Sequence, residues 1–150
     1  MIKINKIQTK NVENALKKYE KDVIETMAEV VKTTAQDIER NAKDLASVKR
    51  VWDNGDLAQN IKAEEQETPF NYKVTAYMPY SAYHEFGTGG LVDVPNEWSE
   101  MARQFIGKGI KQVNIMPRPF MYPAFIFGRM RFNKDIREEL KVLSKQFKNG

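Results

Sequence analysis

From Val12 to Leu45 the chain runs without a Gly or a Pro, and its apolar residues form one stripe: Val12, Leu16, Tyr19, Val23, Met27, Val30, Ala35, Ile38, Ala42 and Leu45. The steps are mostly three and four, which is the period of an α-helix. The other faces are rich in Lys and Glu, as on a helix with one dry side. Asn11 is expected to cap its start. About 35 residues at 1.5 Å each give a rod roughly 50 Å long. A chain of 150 residues folds to a diameter of only roughly 40 Å. A straight helix would overhang its own domain. Either it bends, or its stripe packs on a neighbouring chain.

Beyond this helix the chain is read as a small antiparallel sheet with further helices around it. Asn54-Gly55 is a turn signal, because Gly accepts positive φ and Asn comes closest to it. Leu57 and Ile61, four apart, suggest one helical turn that buries both. Ile61–Glu67 and Tyr72–Ala76 read as two strands joined by the turn Thr68-Pro69-Phe70-Asn71, an antiparallel hairpin. The charged run "AEEQE" would be its solvated edge. Tyr80, Tyr83 and Phe86 share one face of a short helix that Gly87 ends. Pro95 and Asn96 open a further helix, with Trp98, Met101 or Ala102, and Phe105 on one side, until Gly107–Gly109 break it. "IKQVNI" alternates as a strand through Ile110, Val113 and Ile115. Pro123 suits the first turn of a last helix, on which Phe127, Met130, Ile136, Leu140, Leu143 and Phe147 fall roughly in phase. The fold class is α+β: a long N-terminal and a C-terminal helix on a small, mainly antiparallel sheet, with an extra short helix around 96–106. One domain over residues 1–150 is expected from the length.

The charge is +4 overall but unevenly placed. Residues 1–50 carry 11 basic and 8 acidic side chains, residues 51–100 carry 2 and 9, and residues 101–150 carry 11 and 3. A −7 middle and a +8 end would let neighbouring subunits meet head to tail, or turn a basic face toward nucleic acid. Cysteine is absent, which excludes disulfides and cysteine-based zinc sites. No apolar run reaches the roughly 18 residues that span a bilayer, and "MIKINKIQTK" has no apolar signal core. A soluble, unexported protein is expected.

Catalytic constellations are missing at each point where one could stand. "YSAYHEFGTGG" holds the sole histidine, His84, followed by Glu85. A zinc peptidase needs a second imidazole on the same helix face, and there is none. A hydrolase triad would depend on His84 as its base, but no G-x-S-x-G elbow accompanies it. "GTGG" lacks the Lys and the spacing of a phosphate loop. The acidic residues around Asn54 depart from a calcium loop in the position of the Gly. No enzyme activity, metal or cofactor is expected. The stretch reads instead as a joint. A half-buried Glu85 needs a cationic partner or several N–H donors. Arg118, set between Pro117 and Pro119, is the expected mate, tying the short helix to the start of the last one.

Three segments in order, "DNGDLAQNI", "YSAYHEFGT" and "RPFMYPAF", between a long charged helix and a C-terminal one, carry a family resemblance. The chain resembles the tail-component family of long-tailed bacteriophages and prophages, also described as tail completion or head–tail joining proteins. The matching residues are Asp53, Gly55 and Leu57; Tyr80, Tyr83, Glu85, Phe86, Gly87 and Thr88; and Arg118, Pro119, Phe120, Pro123 and Ala124. Asn54 stands where the family usually has Thr, and the segment Gly89–Asn114 is longer than in compact members. The resemblance implies a structural virion protein. It would form a homo-oligomeric ring at the head–tail connector or tail end that helps complete the tail and join it to the head. It would be assembled in the bacterial host cytoplasm. Its partners would be copies of itself, tail-tube and neck or connector proteins, with non-specific contact to phage DNA and none to membrane. The alternative is a basic nucleic-acid-binding accessory protein using Lys and Arg of the last third.

Overall fold

The structure is a computed structural model, and it describes residues 6–49, 55–103 and 114–149. It is α+β, as the sequence predicts. The elements in order are α1 (Lys6–Val48), α2 (Asp56–Gln59), β1 (Ile61–Glu65), β2 (Tyr72–Ala76), α3 (Ser81–Phe86), α4 (Ser99–Arg103) and α5 (Met121–Asn149). Single 3₁₀ turns lie at Gly89–Leu91 and Asn96–Trp98.

Helix α1 is longer than its stripe, 43 residues or about 65 Å. Asn11 therefore lies inside it and does not cap it. The overhang is met within the chain as far as Tyr19. α5 runs back along α1, since Gly128 meets Ile38, Arg131 reaches Asp37 and Phe147 stacks on Tyr19 with ring centroids 4.6 Å apart. Rising numbers on α5 match falling numbers on α1, so the pair is antiparallel. Gly128 lets the helices close up: a Cβ there would sit 2.3 Å from Ile38 Cγ1. Asp37 is buried beside this crossing and pairs with Arg40 and, at 2.7 Å, with Arg131. The α1 stripe is buried at Ala35, Ile38 and Ala42 and half-buried at Tyr19, Val23, Met27, Val30 and Leu45. Its distal end is bare, with Val12 60% and Leu16 51% exposed. On α5, Phe127 and Met130 are exposed, against the predicted stripe. The helix turns Ala124 and Gly128 inward instead, and the side chains one step away face out.

The hairpin is as expected, with β1 antiparallel to β2 and Ile61 opposite Ala76. Ile61 belongs to the strand and not to the preceding helical turn. α2 stops at Gln59, and both Leu57 and Ile61 are still buried. The core joins Ile38, Ala42, Ala46, Leu57, Ile61, Phe120 and Ala124, so α1, α2, β1 and the start of α5 meet at one point. The strand predicted through Ile110, Val113 and Ile115 does not form at Asn114–Met116, which are irregular; Ile110 and Val113 lie outside the described residues, as do Phe105 and Gly107–Gly109. The helix predicted after Pro95 is present as the 3₁₀ turn and α4.

Candidate functional site

The residues singled out by the sequence converge at the junction of α2, α3 and the start of α5. α3 places Glu85 and Phe86 inward, both 4% exposed. Gly87 comes next with φ 75° and donates its N–H to the Tyr83 carbonyl at 2.9 Å. Only Gly fits here. Besides the left-handed backbone, an added Cβ would lie 2.8 Å from the carbonyl oxygens of Ile115 and Leu91. Thr88 then holds Ile115 twice: its N–H donates to the Ile115 carbonyl at 3.0 Å, and its Oγ1 accepts the Ile115 N–H at 2.9 Å. The Arg118 N–H donates to the His84 carbonyl at 2.7 Å. The segment leading into α5 is thereby fastened along the C-terminal end of α3.

Glu85 reaches the same segment, but not through the Arg118 guanidinium. Its carboxylate accepts three backbone N–H groups: Phe120 at 2.7 Å and Met121 at 2.9 Å on Oε2, and Tyr122 at 2.8 Å on Oε1. These are orphan donors of the first turn of α5, which no intrahelical carbonyl can satisfy. Glu85 therefore caps α5 from another element, and its negative charge faces the positive end of the helix dipole. The expected Glu85–Arg118 pair is replaced by this cap, and the expectation of several N–H donors is what the geometry fulfils. Arg118 is exposed and donates to the Lys49 carbonyl at 3.4 Å, while Lys49 Nζ donates to the Pro119 carbonyl at 2.5 Å. Together they tie the C-terminal end of α1 to the start of α5.

Phe120 and Ala124 are buried in the core, and Pro123 lies in the first turn of α5. Gly55, with φ 73°, opens α2, and Leu57 enters the same core cluster. Tyr80 and Tyr83 are half-buried on α3 and its approach. Asp53 lies outside the described residues. His84 meets the edge of Tyr80, with ring centroids 5.8 Å apart. Burial, and then the nearby Arg118 charge, lower its pKa below the ordinary histidine value. It is held neutral near pH 7, next to the Glu85 cap.

Sequence reasoning missed two polar anchors. Glu39 Oε2 accepts the Ala63 N–H at 2.7 Å, which pins β1 to α1, while its Oε1 meets Lys43 at 2.5 Å. Its pKa is lowered: burial pushes it up, but the Lys43 and Ala63 bonds and the nearby lysine charges together outweigh that. Asp37 was the second. Each is a carboxylate next to the apolar stripe, which is the only signal the sequence offers. Among the described residues no group of three acidic or histidine side chains could hold a metal ion. None of their helices is long and apolar enough to cross a membrane.

The site is therefore a set of capped and clamped joints. Neither the curated proteins nor the solved structures contain a match to the chain. The model of the HK97 gp10-like family, described as a bacteriophage tail component, matches residues 10–87, from the first turns of α1 to the glycine that ends α3. That is more than half of the chain, and it includes the Gly55 turn, the hairpin and the Glu85-Phe86-Gly87 joint. The chain belongs to the HK97 gp10-like family of bacteriophage tail components.

Proposed function

We propose that the chain is a structural virion subunit whose copies form a ring at the head–tail connector or tail end of a tailed phage or prophage. The ring helps complete the tail and join it to the head, without catalysis and without a cofactor. Assembly takes place in the host cytoplasm, with other copies, tail-tube protein and neck proteins as partners. The observation that carries this reading is the bare far end of the α1–α5 pair. Val12, Leu16 and Ile24 on α1 and Val142 and Phe147 on α5 are all exposed there. Apolar helix surface of this kind is covered in assemblies by helices of a neighbour. The uneven charge of the three thirds of the chain supports head-to-tail contacts between copies.

Native mass spectrometry and negative-stain images, with the protein alone and mixed with tail-tube protein, test the reading. Rings are expected in at least one condition, and Leu16→Asp or Ile24→Asp should abolish them while circular dichroism stays unchanged. A chain that is monomeric in both conditions, or rings indifferent to both substitutions, would refute it. The second reading, a nucleic-acid-binding accessory protein, draws on α5, where seven basic and three acidic residues stand between Met121 and Asn149. It requires DNA binding by the monomer that weakens steeply as salt rises.

A further inference from the structure

Among the described residues the sheet has two strands, so both outer edges need an account. The register and the flanking bonds Tyr77 N–H to Asn60 carbonyl and Gln66 N–H to Asn71 carbonyl settle which groups point outward. Bonded pairs alternate along an antiparallel ladder. Ile61, Ala63 and Glu65 therefore face out on β1, and Tyr72, Val74 and Ala76 face out on β2. On β1 the Ala63 N–H is taken by Glu39. On β2 the outward backbone groups of Tyr72 and Val74 have no partner among the described residues.

That open edge borders a groove of ≈ 650 Å³. Every residue from Tyr72 to Ala76 lines it, and no residue of β1 does. Successive side chains of a strand point to opposite faces, so a run that lines a groove throughout presents its edge. The far wall is apolar, with Trp98, Met101, Phe125 and Phe132. The surroundings are acidic. Glu100 precedes Met101, Glu67 stands in the hairpin turn, and residues 55–103 carry eight acidic and three basic side chains, while Glu97, beside Trp98, already pairs with Arg129 at 3.6 Å. Lys73 is the one cation in the lining.

We propose that the β2 edge and this groove take up an extended segment of another protein as a third strand, apolar at alternate positions and bearing Lys or Arg between them. Backbone bonds to Tyr72 and Val74 hold it, its apolar side chains fill the groove, and its cations face the acidic rim. The proposal does not depend on ring formation.

The probe is a fluorescein-labelled synthetic peptide of about six residues that alternates Lys with Val and Ile, enough to pair the whole of β2. Fluorescence anisotropy is expected to show saturable binding with a Kd below about 1 mM. Methylating a peptide backbone amide that faces Val74 should weaken binding about five- to tenfold, the worth of one edge bond. Val74→Pro should act alike, because it removes an outward N–H and no ladder bond. Replacing Lys by Glu in the peptide should also weaken binding, with the difference shrinking as salt rises. Methylation leaves the protein untouched, so it decides the matter even if Val74→Pro fails to fold. Absence of binding, equal binding of the methylated peptide, or equal binding of the Glu peptide overturns the proposal. So does an oligomer in sedimentation that excludes the peptide, which would make a second copy the occupant.

Discussion

Replacing Glu85 with Ala should be among the most damaging single changes in this chain. The substitution strands three N–H donors at once. The Phe120 donor sits in a residue with no exposed surface, so water cannot take over, and a buried orphan costs about 1–3 kcal/mol. Met121 and Tyr122 are half-buried, and water replaces part of what they lose. A lost helix cap costs about 1 kcal/mol, and the one methylene removed from a buried position adds about 0.8 kcal/mol. The total is about 4 kcal/mol, against a total stability of about 5–15 kcal/mol for a typical domain. Glu85→Gln should cost about half as much. Its amide oxygen can still accept from Phe120 and Met121, but its NH₂ then faces the Tyr122 N–H, donor against donor. Urea unfolding followed by circular dichroism measures both, with the denaturant slope unchanged. A Glu85→Ala protein within about 1 kcal/mol of the parent would refute the cap as a stabilising element. An Arg118→Ala protein as unstable as Glu85→Ala, with strong coupling in a double-mutant cycle, would restore the ion pair in its place.

Gly128→Ala should destabilise the chain although Ala favours helix, because the new Cβ meets Ile38 Cγ1; adding Ile38→Ala should then cost less than the two changes summed, read as a shift in melting temperature. His84 should make stability depend on pH. Its lowered folded pKa means that the unfolded chain binds the proton more readily, so stability is complete above about pH 6.5 and falls as pH drops below it. Thermal melts of His84→Gln should lose this slope; an unchanged slope would show that another group titrates. Val23→Asp should unfold or weaken the α1–α5 pair, because Val23 is half-buried, whereas Leu16→Asp, at an exposed position, should leave the dichroism signal intact. Equal loss of signal in both would contradict the burial.

Elements governed by local rules were legible in the sequence. The α1 stripe, the Thr68–Asn71 turn and the helix end at Gly87 each follow from spacing or from one residue's backbone freedom. Contacts across long separations were not. Nothing about Glu85 announces that its partners are amides 35 to 37 residues away, since a backbone N–H has no residue type. Arg118 was the visible cation nearby, and proximity in sequence pattern favoured it. The α5 face was misjudged for a related reason: Phe127 and Met130 are larger than Ala124 and Gly128, but the crossing with α1 is set by small residues that let helices approach. The lone Gly128 within an otherwise regular helix was the available signal.

The pairing of α1 with α5 also has a consequence for synthesis. Val48 ends the first helix and Met121 begins its partner, 73 residues later. At about 5–20 residues per second, the ribosome needs about 4–15 s to deliver the second after the first. Throughout that interval the Tyr19–Ile38 face has no α5 to lie on, although a helix forms in about a microsecond. Nascent chains on one polysome would therefore carry the same naked ridge side by side. An α5 that arrives late can close on its own α1 or on that of the chain beside it, and the two products bury the same residues.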